Sequence, residues 1–368
     1  MKLLIVTQKV DQNDQLLGFF IDWIKRFSEK LEKITVLCLE KGEFNLPDNV
    51  RVLSLGKDRG VNKFRQLSTF YFLLSTLRND YDAIFVHMNP IWVVLGGPLW
   101  RFLRKKIYFW YTSGGVTVKL KLAEKMANVI FTASKESFRL SSKKLVITGH
   151  GVDTDLFKPD FSRSKAIPAE VSRHEPSPSN LKEGASRFDL GDYNLLKILS
   201  VGRIAPVKNY ETLIEAAKIL KNERVSFSVT MIGEAPLEKD KKYEENLKFK
   251  VKNLKLEGNF NFVGKINHKA LPQYYRSHDI FVHLSKTGSV DKTLLEAMAC
   301  GMKVLSSNDS AKVFLPSNLI FKENNPNDLA AQIMSTRNSI TDTKLRDYVV
   351  QNHNLDELIN KISKIIIS

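Results

Sequence analysis

The sequence predicts an α/β protein of two doubly wound halves whose strands point their C-terminal ends into one central cleft. Three observations predict it. The chain has 368 residues, more than one hydrophobic core usually serves and enough for two ordinary domains. Short apolar runs alternate with stretches of helical periodicity in both halves, the pattern of parallel sheets covered on both faces. Between the halves, residues 159–194 are rich in Ser, Pro, Glu and Lys with little periodicity, which marks a long polar loop near a junction.

The first half, residues 1–150, opens with an apolar strand over 2–7, a polar loop over 8–15 and an amphipathic helix over about 18–31. Strands follow at 34–39 and 50–55, a helix at 62–77 and a buried strand at 83–87. A strand at 107–111, a helical stretch at 116–126 and strands at 129–133 and 145–148 close it. The second half, residues 151–345, restarts with a strand at 196–201 ending in Gly202 and a helix at 210–220. Strands are then expected at 226–232, 261–263, 280–284 and 304–306, with helices at 243–254, 271–276 and 291–300. Segments at 314–321, 326–336 and 344–350 complete it, and residues 346–368 end in an apolar-periodic helix over 355–367 suited to lie across both halves. In such sheets ligands bind beyond the strand C-termini.

The hydrophobic fraction of 43% and charged fraction of 26% are those of a soluble globular protein. Cys38 and Cys300 each sit in an apolar run, reading as buried thiols of a reducing compartment. The N-terminus turns polar too soon for a signal peptide. The longest apolar stretch, 90–103, is broken by Gly96, Gly97, Pro98 and Arg101 and is too short to span a bilayer. A cytoplasmic location is expected. Residues 1–150 carry 24 Lys and Arg against 13 Asp and Glu, or +11 of the total +16. That bias suggests an anionic partner, such as a membrane surface or a phosphorylated acceptor, though a merely solubilising charge fits too. Nucleic acid fits least: zinc spacing, an RNP motif and a basic helix with heptads are all missing.

Two segments carry chemistry. In 285–301, a strand runs into a small polar loop and then a helix stopped by Gly301. Asp291 is placed to cap that helix, Gly288 admits close approach of a ligand, and amides near Ser289 and Val290 form a seat for a diphosphate. Glu296, about a turn and a half further on, is placed to accept hydrogen bonds from two ribose hydroxyls. An ordinary strand–loop–helix with a surface Glu fits that pattern equally. In 200–210, a strand ends in Gly202, and Arg203 and Lys208 follow five apart ahead of a helix. Two cations at a sheet's C-terminal edge suit a pyrophosphate, and neither has an obvious acidic partner in sequence. A solvated loop fits each equally well.

Together the two segments resemble glycosyltransferase family 4, the group 1 glycosyltransferases of the GT-B fold, built from two Rossmann-like domains. The resemblance is carried by Gly202, Arg203, Lys208 and Asn209, by Gly233-Glu234-Ala235-Pro236, by Val263-Gly264, by Leu294-Leu295-Glu296-Ala297-Met298-Ala299-Cys300-Gly301, and by the junction Gly151-Val152-Asp153. It covers most of the second half and, more weakly, the first, through its strand–helix order and the Gly18 loop. It implies a retaining, metal-independent transferase moving a sugar from a UDP- or GDP-linked donor, a co-substrate, with no cofactor.

By the same resemblance Arg203 and Lys208 neutralise the diphosphate and Glu296 holds the ribose, with Glu234, Ser289, Val290 and Leu294 as further donor contacts. Lys265 and Ile266 would lie near the nucleobase, and Gly18 and Gly114 on the acceptor side. Two departures stand out. Gly288 occupies the place of the family's first Glu, which approaches the donor sugar, and Ser113 the place of a sugar-contacting His. His150 stands where the family often has Asn, in reach of the donor or as a loop-bonding residue; His87 and His283 end strands and read as structural. The acceptor is expected to be a glycan or lipid-linked molecule at the inner membrane face. Lys63, Arg65, Arg101, Arg104, Lys105 and Lys106 beside Phe64, Phe70, Tyr71, Phe72, Trp100 and Phe102 suit an anionic lipid surface, although packing of helices on their own sheet accounts for such aromatics as well. The departures leave open a nucleotide-sugar-binding protein without catalysis, or a sugar phosphorylase on the same fold.

Overall fold

In the first half, unbroken apolar runs make strands that are buried on both faces, as a parallel sheet requires. The computed structural model describes residues 1–14, 16–160, 195–286, 289–337 and 343–368. Strands β1 (Lys2–Val10), β2 (Lys33–Lys41), β3 (Val50–Ser54), β4 (Ala83–His87), β5 (Lys106–Trp110), β6 (Val129–Thr132) and β7 (Leu145–Ile147) form one parallel sheet in the order β3-β2-β1-β4-β5-β6-β7. Alternate residues of β1 face opposite ways. Leu3 and Ile5 enter a core under α1 (Phe20–Ser28), while Leu4 and Val6 enter another under α2 (Lys63–Thr76), α3 (Pro90–Phe102) and α4 (Val118–Met126).

The second half repeats the design. Strands β8 (Leu196–Val201), β9 (Phe227–Ile232), β10 (Phe260–Gly264), β11 (Ile280–His283) and β12 (Lys303–Ser306) run parallel in the order β10-β9-β8-β11-β12. They are covered by α5 (Tyr210–Asn222), α6 (Glu238–Asn253), α7 (Leu271–Ser277), α8 (Lys292–Ala299) and α9 (Pro326–Thr336), with a core on each face. In both sheets the order reverses beside the first strand, between β1 and β4 and between β8 and β11. Those switch points are where open sheets of this kind leave a crevice.

Helix α10 (Lys344–His353) sets Leu345 and Val349 into the second half. The next helix, α11 (Leu355–Ile367), buries Leu355, Leu358, Ile359, Ile362 and Ile366 in the first. At the crossing Val152 and His353–Leu355 pair backbone to backbone: Val152 N–H donates to the His353 carbonyl at 2.6 Å, and Leu355 N–H to that of Val152 at 2.9 Å. Arg26 bridges Asp153 at 2.9 Å and Asp356 at 2.5 Å.

Helix α3 corrects the reading of residues 90–103 as merely a broken apolar stretch. Pro90 starts the helix and Pro98 lies inside it. The two glycines are dictated by packing: a Cβ on Gly96 would lie 2.3 Å from the Trp100 ring, and one on Gly97 2.6 Å from Met126 Sδ on α4. Tertiary packing outweighs their poor helix propensity. Among the described residues no helix is long and apolar enough to cross a membrane. Cys38 and Cys300 are buried thiols, each pushed up to about 12 by burial.

Candidate donor site in the interdomain cleft

The C-terminal ends of β8 and β11 deliver their loops to one place. A cavity of about 240 Å³ there is lined by Gly202, Arg203, Lys208, Asp291, Lys292 and Glu296, with Leu16 and Phe19 reaching over from the first half. A neighbouring cavity of about 340 Å³ shares Arg203, Asp291, Lys292, Leu16 and Phe19. It adds His87, Trp110, Thr112, His150, Ser289 and Val290. The two are parts of one cleft.

Glu296 is 1% exposed, which rules out the surface position that the sequence pattern alone left open. The apolar face of α8 carries it inward. A carboxylate only accepts, so His268 Nε2–H donates to its Oε1 at 2.8 Å, and the Tyr275 hydroxyl donates to Oε2 at 3.2 Å. Burial, with Glu296 beside it, holds the Tyr275 hydroxyl well above its ordinary pKa, so it remains a donor. Glu296 is thus a fixed carboxylate at the cavity wall.

Asp291 sits at the N-cap position of α8, but its side chain does not cap the helix. Its carboxylate pairs instead with Lys208 and accepts from His283 Nε2 at 3.0 Å, while His283 Nδ1 meets Ser306 Oγ at 3.0 Å. Burial raises the Asp291 pKa, but Lys208 and His283 outweigh it and hold the carboxyl well below its usual range. Lys208 therefore has an acidic partner, 83 residues away, that its own segment does not reveal. Arg203 has no ion pair among the described residues and lines both cavities.

The remaining predicted residues divide. Ser289 and Val290 are buried on the cleft wall, but Leu294 turns fully into the core and its amide is spent on the Asp291 carbonyl at 3.2 Å. Gly288, like Thr287, lies outside the described residues. Glu234 and Lys265 stand 4.0 Å apart at the surface and Ile266 packs on the core; none of the three lines either cavity. Gly18 permits the turn that brings Phe19 to the cleft, since a Cβ there would lie 2.5 Å from the Asp14 carbonyl. Ser113 and Gly114 stay off both cavity walls; Thr112, one residue earlier, is on the wall instead.

His150 lines the larger cavity. Its ring Nε2 is buried without a partner among the described residues, and burial, with His353 and Lys292 nearby, depresses its pKa to about 3. His87, a strand end read from sequence as more often structural than ligand-contacting, belongs to the same wall. Its ring stacks on Phe20 with centroids 3.9 Å apart, its Nδ1 lies 3.2 Å from Thr7 Oγ1, and burial and Lys292 bring it to about 3. Both imidazoles are neutral.

Sequence reasoning missed His268, Tyr275 and Lys292. No local pattern marks the first two, which approach Glu296 from another loop and helix. Lys292 is half-buried, with its Nζ 3.8 Å from the centroid of the Phe19 ring across the cleft. Among the described residues no cluster of three or more His, Cys, Asp or Glu side chains is arranged to hold a metal.

Residues 186–366, which hold all of this charged wall, match the family described as glycosyl transferases group 1. The chain therefore carries a group 1 glycosyltransferase domain. Among curated relatives, the 2-deoxystreptamine N-acetyl-D-glucosaminyltransferase of Niallia circulans is 25% identical over 245 residues, 65% of this chain and 61% of that protein. The alpha-monoglucosyldiacylglycerol synthase of Streptococcus pneumoniae is 28% identical over 138 residues, 38% of this chain and 30% of that protein. The chain thus matches about three fifths of the first and under a third of the second. Among solved structures, Anabaena HepE in complex with UDP and glucose superposes with a TM-score of 0.75 at 17% identity, covering 100% of both chains. The fold is the two-domain GT-B fold.

Proposed function

We propose that the protein is a retaining, metal-independent glycosyltransferase that moves a sugar from a nucleotide-diphosphate sugar to a hydroxyl of a glycan or lipid-linked acceptor. The observation carrying this is the convergence of Arg203 and Lys208 from the loop after β8, and of Glu296 from α8, on one cavity at the β8/β11 switch point. Arg203, Lys208 and the amides near Ser289 meet the charge that grows on the leaving diphosphate, and Glu296 accepts from the ribose hydroxyls. The acceptor hydroxyl attacks from the face the diphosphate leaves, and the departing phosphate oxygen takes its proton. A UDP-linked sugar is the first donor to test, since the HepE structures contain UDP or UDP-glucose.

Incubation of the purified protein with UDP-sugars and an acceptor panel, followed by NMR of the product's anomeric proton, tests this. The expected result is transfer with the donor's configuration kept. Transfer with inversion refutes the mechanism, and binding of donor without transfer or hydrolysis favours a binding protein. Gly288, in the place of a sugar-side carboxylate, is what keeps that second reading alive.

The acceptor is further proposed to lie at an anionic membrane surface. Packing accounts for Phe70 and Trp100, which are fully buried, but Phe64, Phe72 and Phe102 are 88%, 65% and 83% exposed beside Lys63, Arg65, Arg101 and Arg104. Co-sedimentation with vesicles containing phosphatidylglycerol is expected at low salt, and its absence there would rule the surface out.

A further inference from the structure

The donor reading leaves a charge imbalance. A nucleoside diphosphate brings roughly two to three negative charges, with its terminal phosphate fully ionised above a pKa near 6. Lys208 and Asp291 form a paired unit with little net charge to offer, tightened by His283 on the carboxylate and by Ser285 Oγ, 3.4 Å from the ammonium. Arg203 supplies one uncompensated cation.

We infer that Lys292 is the second donor-binding cation, supplying at the diphosphate the charge that Asp291 withdraws from Lys208. Its placement argues for a ligand. It is the first residue of α8, where the helix dipole disfavours a cation and favours an anion. Burial adds to that cost, and no hydrogen bond or ion pair among the described residues offsets it; its contact is the face of Phe19. It borders both cavities, as Arg203 does. A residue that breaks local rules at the mouth of a cleft marks a functional site. An anion seated between Arg203, Lys292 and the first amides of α8 removes the conflict.

The ionisation of Lys292 provides a readout that a structural role would not move. Burial lowers its pKa to about 8, against the pull of Glu296, Asp22 and Asp153 and with the push of Arg26. His87, His150, His268, Lys208, Asp291 and Arg203 also face this cleft. His87 and His150, at about 3, do not titrate near neutrality. Lys292, at about 8, loses its charge between pH 7 and 9.

The inference rests on the proposed donor site, and calorimetric titration with UDP and with GDP separates the two. The wild type is expected to bind one of them and to bind it less tightly as pH rises from 7 to 9. Lys292→Met should bind about tenfold or more weakly at pH 7, the low end for losing a charge-assisted contact, and should lose most of that pH dependence. Lys292→Arg should restore affinity and hold it to pH 9. The unfolding midpoint of ligand-free Lys292→Met should equal or exceed that of the wild type, because a half-buried cation without an ion pair is gone from a helix N-terminus. Binding by Lys292→Met with wild-type affinity and pH dependence would overturn the inference and leave the donor site standing. No binding of either nucleotide by the wild type would bring both down.

Discussion

The two walls of the cleft are built on opposite principles. The second-half wall is charged and pre-paired: Lys208, Asp291, His283 and Ser306 form one chain, and Glu296 is fixed by His268 and Tyr275. The first-half wall is aromatic and neutral. Trp23 meets Trp110 edge to face at 4.9 Å, Phe20 stacks on His87, and both cleft histidines are uncharged. Yet the first half carries most of the net positive charge of the sequence. None of its cations lines the two cavities of the cleft, and Lys63, Arg65, Arg101 and Arg104 stand exposed beside exposed phenylalanines. Net charge therefore marks an outer surface, and under the proposed function the donor's phosphates are met from the half that is nearly balanced. Under the proposed function, charge recognition falls to one wall and recognition of the sugar's shape to the other.

The sharpest way to break this division is Lys208→Ala. It leaves Asp291 buried without its cation, for which about 3–5 kcal/mol of destabilisation is expected. Adding Asp291→Asn should recover most of that loss, measured by denaturant unfolding. Equal stability of the single and double variants would show that the pair is not a unit. Next in size, Arg203→Ala should remove about 2.7–4 kcal/mol of transition-state stabilisation while the fold survives. Near-normal transfer by that variant would overturn its assignment.

Smaller effects sharpen the account. Glu296→Gln should erase the preference for UDP over 2′-deoxy-UDP, about 1–3 kcal/mol in calorimetry; a preference that persists would move the ribose elsewhere. His87 and His150 test the neutral wall. Their folded pKa values lie below that of an unfolded His, near 6.5, so the unfolded chain binds more protons between about 3 and 6.5. Stability is full above pH 6.5 and falls as pH drops below it, by about 2 kcal/mol per residue at pH 5. His150→Asn should flatten part of that decline, measured by denaturant unfolding between pH 7 and pH 5.

The charged wall was legible in sequence to the extent that its residues are contiguous. Glu296 sits in a helix that Gly301 stops with a positive φ, and Arg203 and Lys208 flank a single turn, so local chemistry suggested them. What the sequence hid are partners brought by the fold: Asp291 to Lys208, His268 and Tyr275 to Glu296. The aromatic wall was not legible because it is assembled from the start of α1 and from strand ends and loops near residues 16–19, 87–88, 110–112 and 150, each unremarkable alone. Helix α3 was missed for a related reason, since its glycines answer to Trp100 and Met126, contacts that propensity does not record.

The central claim is that the charged wall seats a nucleoside diphosphate. Thermal unfolding with and without UDP, for the wild type and Arg203→Ala side by side, tests it most directly. At about 100 times its dissociation constant the nucleotide should stabilise the wild type by about 2.7 kcal/mol, and the variant by far less at the same concentration. Equal stabilisation of the two proteins would contradict the account.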